Sequence, residues 1–126
     1  MGVFTVSCEV QAMIPGSRAI SVGGLLVDSG SELTWLPASV LAEAGVTVAK
    51  RDEQFCLANG QTITRSIGYA LLRAEGFETV DEVVFGQPGD LPLLGARTLE
   101  GFGAVVDARR KRLVAAGAHV VASVAA

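Results

Sequence analysis

Apolar residues in this chain recur at every second position in short runs, and glycine or proline interrupts each run before it reaches helical length. A period of two puts alternate side chains on one face of a strand, so the pattern calls for a sheet that buries one face. Over residues 3–10, Phe4, Val6, Cys8 and Val10 fall on one side. Pro15-Gly16-Ser17 is a turn signal, residues 18–22 alternate again up to Gly23-Gly24, and the apolar run to Val27 completes a hairpin. Residues 46–57 and 62–74 read as two strands around Asn59-Gly60, a dipeptide suited to a tight hairpin because both residues tolerate positive φ. Gly76 marks a further turn and residues 80–85 a strand, which Gln87-Pro88-Gly89-Asp90 breaks. Residues 104–106 and 113–114 make the last hairpin. Two short stretches suit helices: 38–44, with Ser39 as N-cap and Gly45 as stop, and 98–102. Residues 115–126 are apolar and Ala-rich, and their pattern fits helix and strand equally.

Strands outnumber helices, which predicts an all-β class, with a small closed β-barrel favoured over a sandwich. A length of 126 residues with 50% hydrophobic content suits one domain over 1–126, with a single core and no room for a second lobe. A net charge of -3, with only ten Lys and Arg, argues against a nucleic-acid partner, since phosphate binding needs a concentrated basic surface. The one basic run, Arg109-Arg110-Lys111-Arg112, lies between apolar pieces and reads as a solvated hairpin turn, with Asp107 as its cap. Cys8 and Cys56 are too few for a disulfide framework and fit no metal-ligand spacing, so both are expected reduced and buried. No run reaches the apolar length of a membrane span, and the N-terminus lacks the charged head and apolar core of a secretory signal. A cytoplasmic protein with no membrane partner is therefore expected.

One feature stands out from this background. Asp28-Ser29-Gly30 ends the apolar run Gly24-Leu25-Leu26-Val27 and is followed by the semi-apolar stretch to Leu36, which puts an acid at the mouth of two buried strands. Asp, Ser and Gly are ordinary turn residues, so the triplet carries weight only with its company. That company is Leu93-Leu94-Gly95-Ala96 some way downstream, followed by a short helix and Val106-Asp107, with the Asn59-Gly60 hairpin between the two motifs.

In this order the elements resemble the retropepsin-like, single-domain aspartic proteases, and the resemblance spans nearly the whole chain. It implies an acid-protease barrel with a flap hairpin and one or two short helices. It also implies an aspartic endopeptidase in which two carboxylates flank one water. Such a pair shares one proton, because two like charges at that distance do not both ionise cheaply. The chain has one suitable loop, so the resemblance implies a homodimer in which Asp28 meets Asp28 of a second copy across a two-fold axis. It assigns Ser29 to a hydrogen bond across that axis; in retroviral members the residue is more usually Thr, and the hydroxyl is retained. Gly30 lets the backbone turn and approach the substrate. Leu94 and Gly95 support the Asp28 loop from below. Ser31 and Glu32 line the cleft, although Glu32 is equally readable as a surface charge. Asn59, Gly60 and Gln61 form a flap tip closing over an extended peptide or protein substrate. No cofactor is implied.

Trp35 reads as a core residue and His119 as a residue of the tail, because no Ser or Cys nucleophile stands in a motif that would recruit the imidazole. A second reading belongs to a different class: the same fold serving as a catalytically silent peptide-binding or dimerisation module.

Overall fold

A computed structural model describes residues 3–122. Its strands close on themselves through one long member. The first, β1 (Thr5–Gln11), buries Val6, Cys8 and Val10 and leaves the alternate residues exposed, as the period requires. It pairs antiparallel with β2 (Ile20–Val27). The turn between them places Pro15 and Gly16 centrally, with Gly16 at φ 80 and the Ser17 N–H donating to the Ile14 carbonyl at 3.0 Å, a type II geometry. Gly23-Gly24 does not end the alternation. The strand runs through it with Gly24 at φ 72, three steps of β2 opposing two of β1, which is a bulge that turns the strand toward Asp28.

Next come β3 (Thr34–Pro37) and α1 (Ala38–Ala44). Gly45 stops the helix in a left-handed conformation at φ 84, and the N–H of Val46 reaches back to the Leu41 carbonyl at 2.9 Å. Ser39 is not the N-cap. Pro37 holds that place without a side-chain bond, because the helix leaves β3 directly and the cap position is taken by a residue still paired with Gly86.

The long hairpin consists of β4 (Lys50–Cys56) and β5 (Thr62–Ala74). The segment 46–49, expected to be strand, lies outside β4. Val46 is buried behind α1, while Asp52 at φ 54 and a register shift between Lys50 and Glu53 interrupt the ladder beyond it. A two-residue turn with Glu75 at φ 51 and Gly76 at φ 86 leads into β6 (Phe77–Gly86), which starts three residues before the expected strand. The remaining elements are β7 (Leu93–Leu94), α2 (Ala96–Phe102), β8 (Ala104–Asp107) and β9 (Arg112–Ala115). Asp107 accepts from the Arg110 N–H at 3.1 Å and so caps the basic turn between the last two strands, as expected. The tail from Ala116 to Ala122 carries no helix or strand, and residues 123–126 lie outside the described residues.

Pairing runs β1–β2–β7–β3–β6–β5, and β5 returns to β1 through Gln11 opposite Leu71, so six strands form a ring. Only residues 67–74 of β5 pair with β6; residues 62–67 pair with β4, which carries the hairpin past the ring. Inside lie Val10, Leu25, Leu36, Leu41, Leu72, Val83 and Leu94, all fully buried. A second cluster of Leu33, Ile67 and Val84, with Trp35 and Phe55 against it, sits where the hairpin meets the ring. The expectation of a mostly β domain with two short helices holds, with about 49% strand and 12% helix. No helix among the described residues is long and apolar enough to cross a membrane.

Gly68, where β5 enters the ring, lies close against the segment that precedes β4 and against β6. A Cβ there would stand 2.7 Å from the Thr47 carbonyl oxygen, 2.9 Å from Val46 Cγ1 and 3.0 Å from the Phe85 ring. Backbone cannot yield as a flexible side chain can, so Gly68→Ala is expected to lower stability by about 1–3 kcal/mol. Urea unfolding with a lower midpoint and an unchanged slope checks this, and an unshifted midpoint contradicts it.

Candidate active site

The bulged β2 ends by delivering Asp28, half-buried, into a loop whose shape is fixed from beneath. Strand β7 is threaded between β2 and β3: Leu26 and Val27 pair parallel with Leu93 and Leu94, while Trp35 pairs antiparallel with Leu93. The loop joining β2 to β3 must therefore pass over the end of β7. There the Asp28 N–H donates to the Leu94 carbonyl at 2.9 Å. The Ala96 and Arg97 N–H groups donate to the carbonyls of Ser31 and Glu32 at 2.7 and 3.0 Å. Those are the first donors of α2, which has no side-chain N-cap; the loop satisfies groups that a helix start otherwise leaves unpaired. Gly95 makes the approach possible. A Cβ at that position would collide with the Leu33 carbonyl and stand 3.0 Å from the Ser31 oxygen.

Asp28 spends both carboxylate oxygens within its own loop. The Gly30 N–H donates to Oδ1 at 3.0 Å and the Ser31 hydroxyl to Oδ2 at 2.8 Å. Ser31, expected as a lining residue, does line the cleft, and it also orients the carboxylate, a role its position in the triplet's shadow did not suggest. Ser29 is exposed and has no hydrogen-bond partner among the described residues. Gly30 lies tight against the acid: a Cβ there would stand 3.2 Å from Asp28 Oδ1.

Below the loop runs a buried polar chain that the sequence did not reveal. The Gly95 N–H donates to Thr34 Oγ1 at 3.0 Å, Thr34 and Thr98 share a 2.6 Å hydroxyl contact, and Thr98 donates to Asp81 Oδ2 at 2.8 Å. Since Thr98 gives its proton to the carboxylate, Thr34 must be the donor to Thr98, and the chain has one direction. Both threonines are fully buried. Thr98→Val leaves the Thr34 hydroxyl without an acceptor and is expected to cost about 1–3 kcal/mol. A double Thr34→Val/Thr98→Val change costs less than twice that if the two act as one unit. Chemical denaturation of the double variant and of the two singles, Thr34→Val and Thr98→Val, decides it, and simple additivity would contradict the chain.

Asp28 forms the floor of a cleft of about 870 Å³ together with Gly30, Ser31, Leu33 and Leu93. Phe55, Leu57, Ala58, Ile63 and Arg65 of the β4–β5 hairpin overhang it, and Gly89, Asp90 and Leu91 close one side. Trp35 does join the second core cluster, yet it also faces the cleft and meets Phe55 edge-on, ring centres 5.0 Å apart. Glu32 lines the rim, its side chain 73% exposed and 3.6 Å from Arg97, so it is at once a cleft residue and a surface charge. Asn59, Gly60 and Gln61 are exposed at the hairpin tip, and the cleft wall ends at Leu57 and Ala58, short of them.

The tip itself departs from the tight two-residue turn. The Leu57 N–H donates to the Gln61 carbonyl at 2.7 Å and the Gly60 N–H to the Leu57 carbonyl at 2.9 Å, enclosing three residues of which only Gly60, at φ 87, is left-handed. Asn59 instead uses its side-chain oxygen to accept the Gln61 N–H at 2.9 Å.

Arg65 and Asp90 also escaped sequence reasoning, being ordinary residues of a strand and a turn 25 positions apart. They form a two-pronged ion pair across the cleft wall, Nε to Oδ2 at 2.7 Å and Nη2 to Oδ1 at 2.8 Å. The guanidinium, helped by the Gln87 N–H, holds the Asp90 carboxyl below the usual carboxylate value against the opposing effect of burial. Protonation is therefore harder in the folded state than in the unfolded chain. The pair contributes stability that is full above about pH 4 and is lost as pH falls through the depressed native value. Asp90→Asn is expected to cost about 1 kcal/mol near neutral pH and to flatten that acid loss. Thermal unfolding across the acid range checks it; parallel curves for the two proteins would contradict it.

Cys8 and Cys56 are both free. Burial pushes the Cys8 thiol up to about 11, which removes it as a nucleophile at neutral pH. Cys56 is exposed on β4, contrary to the expectation that both are buried, because its side of the hairpin faces away from the core. His119 is exposed in the tail. Among the described residues no group of three or more His, Cys, Asp or Glu stands in a metal-holding arrangement.

Comparison with protein-family models finds no match to this chain, and none of the curated proteins compared with it matches either.

Proposed function

We propose that this chain is one subunit of a homodimeric aspartic endopeptidase, its ring of strands being a barrel of the retropepsin type. The observation that carries the reading is the Asp28 carboxylate, with one oxygen held by the Gly30 N–H and the other by the Ser31 hydroxyl, on the floor of a hairpin-covered cleft. A general acid-base group has to be oriented before it is useful, and here the orientation is set within the loop itself.

The chemistry follows from two such carboxylates sharing one proton. The ionised Asp28 removes a proton from the water between them as its oxygen attacks the scissile carbonyl carbon. The neutral Asp28 of the second copy donates its proton to the carbonyl oxygen. The tetrahedral diol then collapses: the carboxyl that took the water proton gives it to the amine nitrogen, a diol hydroxyl returns its proton to the other carboxylate, the C–N bond breaks, and the pair again holds one shared proton. Asp28 is the catalytic residue; Gly30, Ser31, Leu94 and Gly95 hold it in place. Ser29, exposed and without a partner among the described residues, would donate to the loop of the second copy. Glu32 and the overhanging hairpin, with Asn59, Gly60 and Gln61 at its tip, would grip an extended peptide, and no cofactor enters the reaction. The two free cysteines support a cytoplasmic setting.

The reading as a silent peptide-binding module draws support from one fact: a single chain brings one Asp28 to its cleft, while the other cleft carboxylates, Glu32 and Asp90, are paired with Arg97 and Arg65. Cleavage of a diverse peptide library between about pH 3 and pH 8, by the wild type and by Asp28→Asn, separates the two. The proposal expects cleavage that a statine-containing peptide inhibits, and a loss of about a thousandfold or more in Asp28→Asn with the fold and dimer intact. Wild-type rates in Asp28→Asn would refute the assignment, and a folded wild-type dimer that cleaves nothing would favour the binding module.

A further inference from the structure

The β4–β5 hairpin leaves the ring at Ile67, so ladder pairing alone does not set the angle at which it overhangs Asp28. Two side-chain contacts outside the ladder act on the overhanging part, beyond the Lys50–Glu82 anchor at its base. Phe55 meets Trp35 edge-on, an apolar contact that tolerates sliding. Arg65 is different in kind. Its Nε and Nη2 grip both oxygens of Asp90, and its Nη1 donates back to the Thr64 carbonyl at 2.8 Å, so the guanidinium plane is held on three sides. Asp90 is itself fixed by the Gln87 N–H at 2.7 Å, in the loop between β6 and β7. The two side chains are 19% and 17% exposed. A planar fork fixes distance and rotation together, which neither a lysine nor an apolar contact does.

We propose that Arg65 and Asp90 are a positioning pair that fixes the hairpin over the cleft and thereby sets how tightly an extended peptide is held. The part concerning peptide rests on the cleft being a peptide site; the restraint on the hairpin does not. With the pair formed, the hairpin is ordered before a peptide arrives, and binding need not supply that ordering. Breaking the pair returns the cost to the binding step. Among the described residues neither one hydrogen-bonds Asp28, whose oxygens are held by Gly30 and Ser31, so the chemical step after binding is left as it was. Lys50, which bonds Glu82 at 2.9 Å, anchors the other strand of the hairpin to β6 at its base, below the cleft wall, and leaves the overhanging part to Arg65.

Hydrogen exchange of the free protein tests the restraint in the wild type, Arg65→Gln, Asp90→Asn and the double variant. Each single change is expected to speed exchange over residues 50–66 by about tenfold, with β1 and α2 unaffected, and the double variant is no faster than the singles. Unchanged hairpin exchange, or a double variant in which the single effects multiply, overturns the proposal. With a peptide the wild type cleaves, KM is expected to rise by about tenfold in each variant while kcat stays within about twofold. A fall in kcat at constant KM overturns the gripping role. Should the wild type cleave no library peptide, the protease reading fails, while the exchange result still decides whether the pair restrains the hairpin.

Discussion

The loop that carries Asp28 depends on a two-residue strand. Leu93-Leu94 is threaded between β2 and β3, and the chain joining those two strands has to cross over its end, where the Leu94 carbonyl takes the Asp28 N–H. Everything around the acid follows from that crossing. Gly95 is required because a Cβ there would run into the Leu33 carbonyl of the loop, α2 begins where the loop offers acceptors for its first donors, and Thr34 sits at the depth where it can accept the Gly95 N–H. The carboxylate is then left with its two oxygens held and its open side toward the cleft. Rigid backbone on three elements thus fixes one side chain, which is the condition for a group that must be aligned before it reacts.

The hairpin above obeys a different economy. Among the described residues it pairs beyond Ile67 only with itself, and its tip residues are solvent-exposed. Its attachment to the body is concentrated in a few side chains: Phe55 on Trp35, Lys50 on Glu82 and Arg65 on Asp90. An element held this way can open at small cost, since exposed backbone pairing and few buried contacts place it at the low-stability end of the molecule. The floor of the cleft is fixed by backbone from three elements, and its roof by those few side-chain contacts.

Much of the ring was legible because its strands are amphipathic. Val6, Cys8 and Val10 announce β1 by their period, Gly45 ends α1 where it should, and the glycines near residues 16, 60 and 76 mark the turns. Glycine was less informative about what kind of turn it makes: Gly24 bulges a continuing strand, and Gly60 closes a three-residue loop in place of a two-residue one. The triplet 28–30 and Leu94-Gly95 were visible as motifs. That they touch is a consequence of topology, and the resemblance, not the period, anticipated it. Thr34, Thr98 and Asp81 could not be found, because a threonine in a strand and one in a helix look ordinary until the fold buries them against each other. The same holds for Arg65 and Asp90, whose partnership exists only across the cleft.

A single chain supplies one Asp28 carboxylate, and the proposed reaction needs two. The most direct measurement is therefore the stoichiometry with which a statine-containing peptide binds, by titration calorimetry alongside sedimentation. A dyad shared across a two-fold axis predicts about one inhibitor per two chains, bound to a dimer and lost in Asp28→Asn. One inhibitor per chain, or undiminished binding without the Asp28 carboxylate, would contradict the shared site.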